Sequence, residues 1–310
     1  MRVAFAGSAE FSLPSLQALA DSAHSVAVVI TAPDRSGSRG RTAPRPVREL
    51  ALELGLLVRQ PARLSPGDLM SLPAAQVDIL VVCAYGQLVP RSVLHLLPRG
   101  AVGVHPSLLP RHRGASPIQA AILAGDTETG VTIYQMDERL DAGPILVEES
   151  VPLPPTMTAT ELSTELAARG GSLLVRALDE LEAGEAEPCP QADLDATYAA
   201  KLGRQDGELD WGLPAQRIER LLRALHPWPG VSVPIGGARV KLIAGRGVPA
   251  PEGASDLGPG SVLEAPGDTL LVGTGAGAFR VELIQPPGRR PMAPGAYLRG
   301  RRARAGGRRP

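Results

Sequence analysis

His105 stands directly after the apolar run at residues 100–104, and Asp141 lies in a turn closed by Ala142, Gly143 and Pro144 after a second strand-like run at residues 130–136. An imidazole changes charge near neutral pH, and a carboxylate beside it fixes its orientation and raises its pKa. Such a pair suits proton transfer. The same two side chains can also do no more than cap loops, so their meaning depends on whether the fold brings them together.

The elements around them argue that it does. Pro106 and Pro110 punctuate a loop after His105, and Ser116 followed by Pro117 is an N-cap and first-turn proline that opens a helix over residues 116–124. His105 is therefore expected at the carboxyl end of a strand, where open α/β sheets bind ligands. Strands are expected at residues 2–7, 25–31, 77–84, 100–104 and 130–136. Helices are expected at 11–19, 47–54 and 158–181, the last packing on Leu162, Leu166, Leu173, Leu174 and Leu178. This alternation predicts a doubly wound, Rossmann-like parallel sheet over residues 1–183. No GxGxxG follows the first strand, so a dinucleotide site is not implied.

Residues 184–205 are acidic and rich in Pro and Ala, the composition of a linker. A second domain is expected over 206–310. It has a helix at 215–225 and short runs at 238–244, 260–263, 270–272 and 279–284 that predict a small β-barrel.

Length and composition bound the function. A chain of 310 residues buries a full core, and no apolar run approaches the ~20 residues that span a bilayer. The start of the chain lacks a signal-peptide pattern, so a cytoplasmic protein is expected. Cys83 and Cys189 are widely spaced, which implies neither a disulfide framework nor a metal site. Net charge is zero but uneven: residues 35–48 hold Arg35, Arg39, Arg41, Arg45 and Arg48 with no acid, so local patches for a polyanion are compatible with the neutral average. The long loop at 33–46 is either a solvated segment or a binding element. The basic, glycine-rich tail at 298–310 is either a disordered end or a further contact to RNA.

The run from His105 through Ser107, Leu108, Leu109 and Pro110, its Arg113-Gly114-Ala115-Ser116-Pro117 continuation and the Leu140–Ile145 turn together resemble the formyltransferases that use 10-formyltetrahydrofolate. Phe5–Phe11, Ala84–Leu88, Trp211, His226–Gly230 and Gln285–Gly288 extend the resemblance almost end to end. It implies an OB-like barrel for the second domain and catalysis by His105 with Asp141. It also implies folate contacts from Ser107, Leu108, Leu109 and Pro110, with Tyr85, Gly86, Gln87 and Leu88 as an opposite wall. The acceptor it implies is the α-amine of methionyl initiator tRNA, reached through the loop of Arg35, Arg39, Arg41 and Arg45. Nothing in the sequence demands a metal or an oligomer, so a monomer without a metal is expected.

One position departs from the family. Gly103 stands where the family carries an asparagine whose amide serves the oxyanion, and loss of one such donor costs about 10²–10³ in turnover. Three readings stay open: another group substitutes, the enzyme is slow, or the chain binds folate or tRNA without effective catalysis. A formyltransferase acting on a small nucleotide or sugar amine is the rival within the enzyme class. His112, where the family has an aromatic residue, is read as a surface-loop residue.

Overall fold

A computed structural model describes residues 1–36, 42–43, 45–70, 77–235, 237–249, 258–265 and 268–306. They form two compact units: Met1–Ala121, Thr127–Pro154 and Glu161–Ala200 make the first, and Ile122–Asp126, Pro155–Thr160 and Lys201–Pro310 the second.

The first unit begins with β1 (Arg2–Gly7), whose apolar run is buried on both faces, as in a central strand. Next come α1 (Leu13–Ala20), β2 (Ser25–Ile30) and the two-residue strands β3 (Arg35–Ser36) and β4 (Thr42–Ala43), which pair antiparallel. The chain continues through α2 (Pro46–Glu53), β5 (Val58–Arg59) and α3 (Gly67–Met70). Then follow β6 (Ile79–Cys83), α4 (Arg91–Leu94), β7 (Ala101–His105) and β8 (Arg113–Gly114). After α5 (Pro117–Ala124) come β9 (Glu128–Gln135), β10 (Ile145–Pro152), α6 (Ala159–Ala183) and β11 (Tyr198–Ala199).

The main sheet has the order β10-β9-β7-β6-β1-β2-β5. Its five strands from β7 to β5 are parallel, and the chain builds outward from β1 first on one side and then on the other, as a doubly wound sheet does. β9 and β10 add an antiparallel edge to the expected parallel sheet. A buried apolar strand reads the same in either direction, so its pattern carries no sign of this. The five leucines expected on the packing side of α6 are all buried. Cys83 is a core residue whose thiol burial pushes up to about 12.

Residues 184–200, expected to link two domains, are instead tied into the first unit. Cys189 and Ile145 exchange two backbone hydrogen bonds of 2.8 Å, and β11 pairs in parallel with β8. Composition identifies a polar, proline-rich stretch; it does not show where that stretch finds backbone partners.

In the second unit, α7 (Ala215–Leu225) buries Ala215, Ile218, Ala224 and Leu225. Five strands follow: β12 (Val231–Ile235), β13 (Ala238–Val248), β14 (Val262–Ala265), β15 (Thr269–Gly273) and β16 (Ala278–Gln285). They form one antiparallel sheet in the order β12-β13-β16-β15-β14. Register shifts at Ala244 bend the long β13–β16 pair into a curled half-barrel, the shape expected of an OB-like unit. β12 escapes the sequence reading because Pro234 interrupts it, which an edge strand tolerates. The last described element is α8 (Pro294–Gly306), which takes in the start of the basic tail, and Arg299 grips Asp268 through bonds of 2.6 and 2.7 Å.

Candidate active site

Side chains alternate along a strand, so Gly103 and His105 of β7 share one face. Across the ladder Gly103 pairs with Tyr134 and His105 with Thr132, and directly opposed residues share a face, so all four belong to one surface. Because β9 runs antiparallel to β7, its carboxyl end lies beside the start of β7. Asp141 does not arrive from a parallel strand end, as expected; the loop after β9 doubles back to deliver it. Asp141 takes φ 49°, a left-handed conformation that aspartate tolerates better than most residues.

The expected pair does meet. Asp141 Oδ2 lies 3.7 Å from His105 Nδ1. The carboxylate is held by two donors: the Gly114 N–H gives to Oδ2 at 2.7 Å and the Tyr134 hydroxyl to Oδ1 at 2.7 Å. On the other side of the ring, His105 Nε2 is 3.0 Å from the carbonyl oxygen of His112. A carbonyl only accepts, so Nε2 carries the proton and Nδ1 is the basic nitrogen of the neutral ring. Burial lowers the pKa of His105, against the opposing pull of the Asp141 charge, so the imidazole is neutral at neutral pH. Burial and the same carboxylate raise the phenol of Tyr134 well above its ordinary value and keep it protonated.

His112 is not a surface-loop residue. It is buried at φ 58°, and its N–H donates to Thr197 Oγ1 at 2.8 Å, which fixes the carbonyl that His105 uses. Gln191 adds a second brace by donating to the Asp141 and Gly143 carbonyls at 3.0 and 2.7 Å. Its amide oxygen accepts from Arg113, which is buried and also meets Asp193 at 2.9 Å. Arg113 and Asp193 line a cleft of about 430 Å³ together with Arg139, Leu140, Ala142 and Tyr198. Thr197 and Gln191 carry no sequence signal, since both fall in the stretch read as a linker.

The loop after His105 is pinned by Thr132, whose hydroxyl donates to the Ser107 carbonyl at 2.7 Å and accepts from Leu109 N–H at 3.1 Å. The Leu109–Pro110 peptide is cis. Ser107 Oγ is spent on the Arg111 carbonyl at 2.6 Å and Leu109 is buried, so Leu108 and Pro110 are the members of this segment whose side chains remain partly exposed.

Cys83 pairs with Val104, so the stretch from Tyr85 to Leu88 leaves the same sheet edge one strand away. Tyr85 does not form a wall: its side chain is buried in the core cluster with Val89 and Val93, and its hydroxyl meets Gln87 at 3.3 Å. Gly86 turns the chain at φ 78°, Gln87 reaches the Pro61 carbonyl at 3.3 Å, and Leu88 is 87% exposed. Of the arginine loop, Arg35 lies in β3 and Arg45 is turned back onto the Pro33 carbonyl at 3.0 Å; Arg39 and Arg41 lie outside the described residues. Among the described residues there is no group of three or more His, Cys, Asp or Glu able to hold a metal, and no helix long and apolar enough to cross a membrane.

A buried, neutral imidazole backed by a braced carboxylate at a sheet edge is equipped to take a proton and return it. Comparison with known proteins gives that chemistry a family. Residues 1–178 match the description "Formyl transferase" and residues 201–302 match "Formyl transferase, C-terminal domain". The chain belongs to the formyl transferase family.

This formyl transferase is 43% identical over 309 residues to a methionyl-tRNA formyltransferase of Roseiflexus castenholzii, covering 99% of the chain and 98% of that relative. It is 45% identical over 303 residues to one of Gluconacetobacter diazotrophicus, covering 97% and 96%. Among solved structures, the sugar 3N-formyl transferase WlaRD, determined with dTDP and 5-N-formyl-THF, shares the fold at a TM-score of 0.68 and 16% identity, over 94% of this chain and 99% of that one. Glycinamide ribonucleotide transformylase 1 of Symbiobacterium toebii aligns at a TM-score of 0.51 and 26% identity, over 59% and 88%.

Proposed function

We propose that this chain transfers the formyl group of 10-formyltetrahydrofolate to the α-amine of methionine carried by initiator tRNA. The reading is carried by the His105–Asp141 pair, buried in a chain that runs almost end to end with relatives named for this reaction. The amine attacks the formyl carbon and gives up a proton to His105 Nδ1. Asp141 stabilises the imidazolium, and the proton passes to the folate nitrogen as its bond to the formyl carbon breaks. Leu108, Pro110, Gln87 and the exposed Leu88 supply the apolar and amide surface that suits a flat ring system. The tRNA acceptor supports a cytoplasmic location, and the presence of every named group on one chain is compatible with action as a monomer.

Single-turnover transfer from 10-formyltetrahydrofolate tests the reading, with initiator Met-tRNA and an amino-sugar nucleotide as competing acceptors. Formylated Met-tRNA with an untouched sugar is the expected result. Formylation of the sugar alone would overturn the acceptor assignment.

Within the arginine loop, Arg39 is the residue this reading assigns to the acceptor end of the tRNA. Arg39→Ala will weaken use of Met-tRNA, reduce the log–log salt slope of tRNA binding by about 1 and leave folate binding intact. An unchanged salt slope would remove Arg39 from the interface.

A further inference from the structure

Gly103 leaves no side chain on β7 beside His105, yet the space there is filled. A Cβ built on Gly103 would stand 2.7 Å from Tyr134 Cζ and 2.8 Å from the Tyr134 hydroxyl oxygen. Real Cβ atoms do not approach heavy atoms so closely, so the ring and any side chain at position 103 exclude each other. An amide grown from that Cβ would end in the volume the phenol now holds. The phenol donates to Asp141 Oδ1 at 2.7 Å, and its ring meets the His105 imidazole edge-on with centroids 6.4 Å apart.

We propose that Tyr134 is the side-chain donor of this site, supplied from β9 into the space that Gly103 vacates on β7, and that it works by holding Asp141 in line with His105. Two donors set the carboxylate. The Tyr134 hydroxyl occupies Oδ1 and the Gly114 N–H occupies Oδ2, which faces His105 Nδ1 at 3.7 Å. With one oxygen tethered, the carboxyl plane cannot turn its second oxygen away from the imidazole. Tyr134 is thus a positioning residue that acts through Asp141. Gly103 is the matching half of the device, since only a residue without a Cβ leaves room for the ring. The proposal rests on the formyl-transfer reading.

The test is Tyr134→Phe in the full-length chain, followed by formyl transfer and by NMR titration of His105. The charged and titratable groups facing that ring are Asp141, His112 and Tyr134 itself. Losing a hydrogen bond to a charged group lowers kcat by about tenfold or more, and KM for folate and for Met-tRNA stays within about twofold. The untethered carboxylate turns away from the imidazole and gives up part of its pull on the ring, so the His105 pKa falls.

An unchanged kcat would overturn the proposal, as would a fall in kcat with His105 titrating as in the unaltered chain. Gly103→Ala provides the second arm. It displaces the ring while keeping the phenol, and the same falls in kcat and in His105 pKa are expected; wild-type kcat in this variant would also overturn the pairing. Failure of the unaltered chain to formylate Met-tRNA would instead sink the function and leave the Tyr134–Asp141 geometry in place.

Discussion

His105→Gln will lower single-turnover formyl transfer by about 10²–10⁴-fold, the range a positioned acid–base group contributes, with folate binding unchanged. Glutamine keeps a polar side chain in the space but offers no nitrogen that cycles between neutral and charged forms. The unaltered chain has a distinctive pH dependence. Burial sets the His105 pKa below the ordinary 6.5, so the neutral ring that accepts the proton predominates down to that lowered value. The transfer rate therefore rises with pH through a midpoint below 6.5 and is level above it. The glutamine variant loses that acid limb. A limb of unchanged midpoint in His105→Gln would assign the titration to another group.

Asp141→Asn has the second large effect. Both carboxylate oxygens accept from donors, Tyr134 O–H at Oδ1 and Gly114 N–H at Oδ2. An amide has one accepting oxygen, so in either orientation its NH₂ faces a donor. The imidazolium also loses its counter-charge. Loss of the carboxylate that orients a proton-transferring histidine costs about 10²–10⁴ in turnover. Removing the carboxylate charge lowers the His105 pKa further than Tyr134→Phe does, because the charge is lost and not merely turned away. The two variants thus grade loss of the charge against loss of the phenol that orients it. NMR titration of His105 alongside formyl transfer reads both, and equal turnover by Asp141→Asn would show that the carboxylate only closes a turn.

The pair His105 and Asp141 was legible in the sequence because polar titratable residues after apolar runs are conspicuous, and turn residues mark where the runs end. The direction of β9 was not legible: a buried strand has the same pattern whether it runs with or against its neighbour, and only the register Val102 to Gln135 and His105 to Thr132 reveals it. That direction decides the site. It sets Tyr134 opposite Gly103, so the space left at 103 is filled by a ring 31 positions along the chain, inside a stretch that reads simply as strand. Ser107 and Tyr85 show where residue type stops short. Both are of a type that contacts ligands, and both spend their polar atoms inside the protein. Exposure and partner choice are tertiary properties, which residue type alone does not carry.

The bond from His112 to Thr197 and the β8–β11 pairing have a consequence for biosynthesis. Domains fold as units during synthesis, amino-terminal portions first. A nascent chain has His105, Tyr134 and Asp141 outside the ribosome long before Thr197 and Ala199 follow, so the sheet is complete while the His112 carbonyl that anchors the imidazole has no brace. Competence for transfer is then gained in one late step, when the segment beyond α6 closes over the loop. A chain interrupted at Ala183 would hold every acid–base residue, yet lack the Thr197 acceptor for the His112 N–H and the strand that pairs with β8.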